Sequence, residues 1–300
     1  MTLPTFLGIG VEKSGTTSIY HYLKQHPEIF MSPIKETNFL EQEWGEDVVQ
    51  AHRDLAKRVD TLEKYQHLFE TAGNAKAIGE ISPNYLFHYQ SSSKRIQRYV
   101  PHAKMIAILR DPVERAFSDY LMHLRDVING GHPTPLADQV RYKSQTSFTI
   151  RKGLYYAPLK FFINTFGAGQ IKVCLYEDLC CAPVELMQDI YRFLGVNDLF
   201  VPNVSQKAQV AQVPKSTAVN RLLRTKNPLR SGAASALKLL VPPSARQRIR
   251  AQLIHMNSQT KESVTLSVEE RSLLADFYRD DVQKLQELIQ RDLSGWLKVS

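Results

Sequence analysis

Short apolar runs alternate with longer amphipathic segments along this chain. The runs cover residues 6–11, 76–81, 104–109 and 171–176 and are mostly apolar, and residues 6–11 and 105–109 are apolar without a break. Continuous apolar strands are typical of parallel sheets, which are buried on both faces. Between the runs, apolar residues recur at the three-to-four-residue spacing of a helix. The pattern predicts an α/β fold with a single doubly wound parallel sheet flanked by helices.

Two of the predicted helices carry clear end signals. Asp111 is an N-cap acid followed by a proline at the first helical position, which predicts a helix over residues 112–127. Gly195 ends a second helix, predicted over residues 183–194.

A third helix is predicted near the end of the chain. Ser267 and Glu270 form a capping box that opens an amphipathic segment over residues 267–293. The sequence contains no internal repeat and no low-complexity tract. We therefore expect one domain over residues 1–300.

Positive charge is concentrated in one stretch of the chain. The net charge is +8, yet residues 199–261 hold eleven Lys or Arg and no Asp or Glu. Such a segment attracts anions, so it predicts a phosphate-bearing ligand, a polyanionic substrate, an acidic protein partner or simply a solvated basic surface. Nucleic acid is not expected, because the sequence lacks zinc-finger spacing, an RNA-binding aromatic signature and a basic zipper.

The cysteines and the hydropathy indicate the class of protein. Cys174, Cys180 and Cys181 form neither a metal-binding spacing nor a disulfide framework. No run of about 18 apolar residues occurs, so no membrane span is expected. The first residues lack a signal peptide's basic and apolar regions. These features favour a cytoplasmic protein.

A glycine-rich loop follows the first predicted strand. Residues 10–17 match the P-loop pattern G-x-x-x-x-G-K-[ST] except that a threonine replaces the lysine after Gly15. A lysine instead lies inside the loop, at Lys13. No apolar strand ends in a convincing magnesium-binding Asp. The loop therefore predicts a phosphate site without a metal, although a plain strand-to-helix turn and an aberrant nucleotide kinase or NTPase remain alternatives.

Two motifs together resemble the PAPS-dependent sulfotransferases. Lys13-Ser-Gly-Thr-Thr-Ser18 is similar to their 5′-phosphosulfate loop, and residues 108–120 are similar to their 3′-phosphate motif. The likeness extends over most of the chain and is greater to the Golgi heparan-type enzymes and their bacterial relatives than to the cytosolic phenol and steroid enzymes. It implies a P-loop NTPase-like sulfotransferase fold and the donor 3′-phosphoadenosine 5′-phosphosulfate (PAPS), with PAP as product and no metal.

The resemblance also implies roles for the residues of both motifs. The 5′ end of PAPS would be held by the loop residues Lys13, Ser14, Gly15, Thr16, Thr17 and Ser18, and the ammonium of Lys13 would stabilise the leaving oxygen. Arg110 and Ser118 would bind the 3′-phosphate. In the basic segment, Lys215 and Ser216 are candidates for an added phosphate contact.

An acceptor hydroxyl needs a base that takes its proton. Glu36 matches the glutamate base of the heparan-type enzymes, and His88 and His21 are the alternatives. One position departs from that group, because Ile81 stands where many of its members have a lysine. The contact such a lysine makes is then absent, which argues against a specifically heparan-like acceptor.

We therefore expect an enzyme that transfers sulfonate by in-line displacement to an acceptor hydroxyl, or to an amine. The acceptor would be a small-molecule natural product or a carbohydrate, and a carrier-protein-bound acceptor or a lipid headgroup stays open. The alternative from another class is a non-catalytic nucleotide- or polyanion-binding module.

Overall fold

The computed structural model describes residues 2–41, 59–126, 134–205, 212–214, 258–260 and 265–299. Five parallel strands form its main sheet, in the order β2-β3-β1-β4-β5. They are β1 Phe6–Gly10, β2 Ile29–Met31, β3 Ala77–Ile81, β4 Lys104–Leu109 and β5 Ile171–Leu175. A separate antiparallel pair consists of β6 Gln212–Pro214 and β7 Ser258–Thr260. The predicted α/β class with one parallel sheet is confirmed.

Helices connect these strands. The α-helices are α1 Thr16–Leu23, α2 Leu62–His67, α3 Tyr89–Tyr99, α4 Pro112–Asp126, α5 Leu136–Lys143, α6 Phe148–Arg151, α7 Tyr156–Phe166, α8 Tyr176–Cys181, α9 Pro183–Leu194 and α10 Val268–Ile289. Short 3₁₀ turns lie at Glu70–Ala72, Ala168–Gln170 and Ser294–Leu297. None of the described helices is long and apolar enough to span a membrane.

Both faces of the main sheet are buried. On one face, α1 and α9 pack against alternate strand residues such as Phe6, Ile106 and Ile108. The residues between them along the strands, among them Leu7 and Met105, are also fully buried, which requires cover on the opposite face. Helices on both faces are what a doubly wound parallel sheet needs.

The third predicted helix differs from expectation at its end. The capping box is present, because the Glu270 carboxylate accepts the Ser267 N–H and the Ser267 hydroxyl accepts the Glu270 N–H. However, α10 stops at Ile289 rather than at residue 293. Gln290 adopts a left-handed backbone with φ 53°, the conformation that commonly follows a helix end.

Contacts divide the chain into two compact units. The first comprises residues 1–115, 152–208 and 278–298, and the second comprises residues 116–151, 209–277 and 299–300. The first unit contains the main sheet. The single domain predicted over residues 1–300 stays a prediction.

Candidate functional site

The loop between β1 and α1 has an unusual backbone. Lys13 and Gly15 both have left-handed conformations, with φ values of 70° and 82°. At Gly15 a Cβ atom would lie 2.5 Å from Cδ2 of Leu179 and 3.2 Å from the ring of Tyr176. Gly15 therefore satisfies two requirements at once, a positive φ and close contact with α8. A non-glycine residue at position 13 is rarer in this region and is a feature of functional loops.

Ser14, in the same loop, has a buried hydroxyl oxygen. Its side chain is fully buried, and its Oγ has no hydrogen-bond partner among the described residues. The next residues begin α1, whose N-cap, Gly15, has no side chain to cap the first N–H groups. Buried polar atoms are rarely left unpaired, and helix N-termini attract anions. The donor groups present here fit a bound phosphate or sulfate group.

Arg110 connects the loop to the second predicted motif. Its Nη1 donates a hydrogen bond of 2.9 Å to the backbone carbonyl of Lys13. Its guanidinium lies over the ring of Tyr176, 4.6 Å from the ring centre, and Nη2 is 3.6 Å from Oε2 of Glu114. The end of β4 and the loop after β1 are thus joined directly by one cationic side chain.

The backbone of Arg110 is held by a hydrogen bond from Tyr155. The buried Tyr155 hydroxyl donates to the backbone carbonyl of Arg110 at 2.9 Å, and burial raises the pKa of that phenol. Asp281 of α10 accepts the N–H groups of Tyr155 at 2.8 Å and of Tyr156 at 3.2 Å. Sequence reasoning did not identify Asp281.

A second residue that sequence reasoning did not assign to the site is Lys152. Its ammonium pairs with the carboxylate of Glu12 in the loop and lies 5.8 Å from the ring centre of Phe87. These three residues line an open cleft, together with Val11, Pro83, Leu86, Leu154, Tyr155 and Pro158. The cleft borders the loop and has a mainly apolar lining.

Glu36, the predicted base, lies at the carboxyl end of β3. Its N–H donates to the carbonyl of Ile81 at 2.9 Å, and its backbone is left-handed with φ 62°. Its carboxylate is 42% exposed and pairs with the ammonium of Lys35. Because β3 is paired in parallel with β1, the carboxyl ends of both strands lie on the same side of the sheet. The backbone of Glu36 therefore lies on the side of the sheet where the loop after β1 begins.

The other residues predicted for the site lie at separate positions in the structure or outside the residues that it describes. His88 precedes α3, and its Nε2 is 3.1 Å from Oε1 of Glu41. His21 is exposed on α1. Ser118 is buried on α4, within the second unit. Lys215 and Ser216 lie outside the described residues. None of the roles predicted for these residues is tested by the geometry, so they stay predictions.

Glu80 is the largest omission of the sequence reasoning. This carboxylate in β3 is fully buried and accepts hydrogen bonds from Thr37, Ser82, Tyr85 and Tyr65. Burial raises its pKa against the opposing effect of those four donors. The only signal in the sequence was a glutamate inside an apolar strand run.

Comparison with known proteins identifies the family. A family model described as "Sulfotransferase family" matches residues 4–199. This chain belongs to the sulfotransferase family. The match covers the main sheet with both predicted motifs, and it confirms the resemblance found in the sequence.

Individual relatives agree with this assignment. Mouse bifunctional heparan sulfate N-deacetylase/N-sulfotransferase 4 is 27% identical, with 99% of this chain and 31% of the relative aligned. Mouse carbohydrate sulfotransferase 15 is 33% identical, with 73% and 47% aligned. The chain thus spans less than half the length of either of these sulfotransferases.

A solved structure supports the fold. A sulfotransferase from Alicyclobacillus acidocaldarius superposes with a TM-score of 0.69 and 26% identity, covering 99% of this chain and 100% of that one. The predicted P-loop-like sulfotransferase fold is therefore confirmed.

Proposed function

We propose that this sulfotransferase uses PAPS as donor and transfers its sulfonate group to an acceptor hydroxyl, with an amine as the alternative acceptor. The observation that carries the proposal is the hydrogen bond from Arg110 to the carbonyl of Lys13. The two residues come from the two motifs predicted for opposite ends of PAPS. Their contact supports one donor site rather than two unrelated sequence matches.

The loop offers suitable groups for the 5′ end of PAPS. Lys13 supplies charge, and the start of α1 supplies N–H groups. The Oγ of Ser14, which has no partner among the described residues, supplies a further polar atom. The hydroxyls of Thr16, Thr17 and Ser18 belong to the first turn of α1. Arg110 would hold the 3′-phosphate, and the same role for Ser118 stays a prediction from the sequence.

PAPS, when bound, supplies the activated sulfonate for an in-line displacement. The ammonium of Lys13 would stabilise the negative charge that grows on the leaving oxygen, which lowers the barrier because the interaction strengthens in the transition state. The carboxylate of Glu36 would accept the proton of the acceptor hydroxyl. We propose no metal for either task.

The acceptor is a carbohydrate or a small natural product in this proposal. The relatives include proteins named as carbohydrate and heparan sulfate sulfotransferases, which supports a carbohydrate. Ile81 argues against a heparan-like contact at this position, because its apolar side chain is only 2% exposed. This side chain packs closely against Gly8, where an added Cβ atom would lie 2.7 Å from Ile81 Cγ1. A carrier-bound acceptor and a cytoplasmic location remain part of the proposal.

Two other functions make different predictions. An aberrant nucleotide kinase or NTPase would transfer a phosphoryl group, and the sulfotransferase family membership argues against it. A non-catalytic module would bind PAP and transfer nothing. Sulfonate transfer from PAPS separates both from the proposed enzyme.

The donor site is tested by Arg110→Ala with two donors, PAPS and adenosine 5′-phosphosulfate, which lacks the 3′-phosphate. Because Arg110 also holds the Lys13 carbonyl, both donors should bind more weakly. PAPS should lose an additional 1.5–3 kcal/mol or so, the contribution of a charged hydrogen bond. Arg192→Ala is the control, since Arg192 is exposed on α9 and pairs only with acidic surface residues among those described. Equal losses for the two donors would reject the 3′-phosphate role.

A further inference from the structure

Glu80 is surrounded by hydroxyl groups in the core of the first unit. Oε2 accepts from Thr37 Oγ1 at 2.7 Å and from Ser82 Oγ at 2.9 Å. Oε1 accepts from Tyr85 OH at 2.6 Å and from Tyr65 OH at 2.9 Å. Removing a carboxylate from water is unfavourable unless its lone pairs are satisfied, and here four donors satisfy them.

Three of these hydroxyls also bind the backbone of the segment after Glu36. Ser82 Oγ accepts the N–H of Asn38 at 3.1 Å, and Tyr85 OH accepts the N–H of Leu40 at 3.2 Å. Thr37 Oγ1 accepts the N–H of Phe39 at 3.3 Å. Each of these hydroxyls donates its proton to Glu80 and accepts a backbone N–H from residues 38–40. The carboxylate therefore fixes the orientation of each hydroxyl and keeps its lone pair directed at that N–H group.

The segment held in this way has a strained backbone. Glu36 and Asn38 have left-handed φ values of 62° and 52°, in a region that non-glycine residues rarely occupy. Such conformations persist where the surrounding contacts determine them, and they are concentrated at functional sites. The contacts that determine this one converge on Glu80.

We propose that Glu80 is a positioning residue that holds residues 36–40 so that Glu36 stays at the sheet edge beside the loop. This inference rests on the proposed role of Glu36 as the base. Glu80 itself contacts neither donor nor acceptor in this account. It acts through Thr37, Ser82 and Tyr85, which transmit its position to the Glu36 segment.

The first test is amide hydrogen exchange of the Glu80→Gln protein in the presence of PAP. A glutamine has one carbonyl oxygen in place of two carboxylate oxygens, so it can accept from fewer of the hydroxyls. The hydroxyls that lose their acceptor must rotate, and their hydrogen bonds with the backbone N–H groups of residues 38–40 then break. We expect exchange within residues 36–40 to become about tenfold faster, as for the loss of one hydrogen bond, while PAP affinity changes less than twofold. Ser82→Ala should show a smaller effect in the same segment.

Tyr191→Phe is the matched control. The Tyr191 side chain is fully buried, and its hydroxyl donates to the carbonyl of Tyr22, away from the Glu80 network. It also loses one buried hydroxyl hydrogen bond, but exchange within residues 36–40 should not change. Faster exchange in that variant too would show that the effect is general loosening.

The second test compares sulfonation of p-nitrophenol and p-cresol, a more and a less acidic hydroxyl. If Glu80 positions the base, Glu80→Gln should slow p-cresol by about 100-fold, the effect of a misplaced catalytic group, and p-nitrophenol by much less. Glu36→Gln should show the same dependence on acidity. The double variant should be no slower than Glu36→Gln alone, because there is then no base to position.

The outcomes distinguish this inference from the function on which it rests. Unchanged exchange in residues 36–40, or an equal slowing of both phenols, overturns the positioning role of Glu80. Full activity of Glu36→Gln instead overturns the assignment of the base, and the inference with it. If neither phenol is sulfonated, the exchange measurement alone decides.

Discussion

Lys13 combines a positive charge with a backbone conformation that non-glycine residues rarely adopt. Its φ of 70° and the bond from Arg110 to its carbonyl fix the residue within the loop. Lys13→Ala removes the charge that would stabilise the leaving oxygen. We expect turnover to fall by about 100-fold or more and donor affinity to weaken, measured with labelled PAPS.

Lys24→Ala is the control for this variant, because Lys24 is an exposed lysine at the end of α1. It should leave turnover unchanged. Near-normal turnover of Lys13→Ala would mean that the loop does not act on the leaving group, and the role of Lys13 would have to be abandoned.

Glu36 is tested by a substitution that keeps its size. Glu36→Gln can still accept a hydrogen bond but cannot act as a carboxylate base. Turnover should fall by about 100- to 10,000-fold while PAP affinity holds, and the fall should be smaller for acidic acceptor hydroxyls. Initial rates and PAP titrations measure the two effects separately.

Histidine variants complete that test. His88 lies beside Glu41, and His21 is exposed on α1. If Glu36 is the base, His88→Ala and His21→Ala should retain most of the activity. An active Glu36→Gln protein together with an inactive histidine variant would transfer the role of base to that histidine.

At the scale of elements, the turn from β1 into α1 depends on Gly15. Alanine there requires an unfavourable φ of 82° and places Cβ 2.5 Å from Leu179. We expect Gly15→Ala to lose about 1–3 kcal/mol of unfolding free energy, as overpacked sites do, and to bind PAP more weakly. Gly169→Ala is the control, since its Cβ would meet no atom of the described residues within 4 Å. Wild-type stability and PAP affinity in Gly15→Ala would contradict this account of the loop.

The junction between α10 and α7 should be sensitive to pH through Asp281. Burial raises the pKa of Asp281 to about 6, so the folded state favours the protonated carboxyl more than the unfolded state does. Its contribution to stability is therefore complete below about pH 4 and is lost as the pH rises to about 6, by at most about 3 kcal/mol. Asp281→Asn, neutral throughout, should lack this decline in urea unfolding.

Asp280→Asn is the matched control, because Asp280 is the adjacent residue and its side chain is 78% exposed. It should retain the wild-type decline between pH 4 and pH 6. Parallel stability curves for Asp281→Asn and the wild type would show that Asp281 does not titrate in this range.

Local sequence predicted the exact bounds of two elements. β4 and α9 begin and end at the predicted residues, because a continuous apolar run and a helix closed by Gly195 need no distant partner to be recognised. β2 could not be predicted in the same way. It has only three residues, and its pairing with β3 defines it.

The candidate site could also be predicted only in part from the sequence. The loop and Arg110 carry their own motifs, whereas the partners of Glu80 and Asp281 are identified only by the folded chain. Thr37 is 43 residues from Glu80, and Tyr155 is 126 residues from Asp281. No periodicity connects such pairs, so only tertiary structure identifies them.

At the scale of the whole molecule, the family match and the charge occupy different parts of the chain. The match ends at residue 199, where the basic segment of residues 199–261 begins. Most of that segment lies outside the described residues. From its charge alone we predict that this segment covers the donor, with contacts from Lys215 and Ser216.

The central claim is that this chain moves sulfonate from PAPS to an acceptor hydroxyl. Its most direct test is to incubate the purified protein with labelled PAPS and a panel of carbohydrates, phenols and carrier-bound hydroxyl compounds. Products are identified by the mass gain of one sulfonate group. The account predicts a labelled product with the wild type and a rate of labelling at least about 100-fold lower with Lys13→Ala. A wild-type protein that binds PAP yet labels no acceptor in the panel would contradict it and would indicate a non-catalytic binding module.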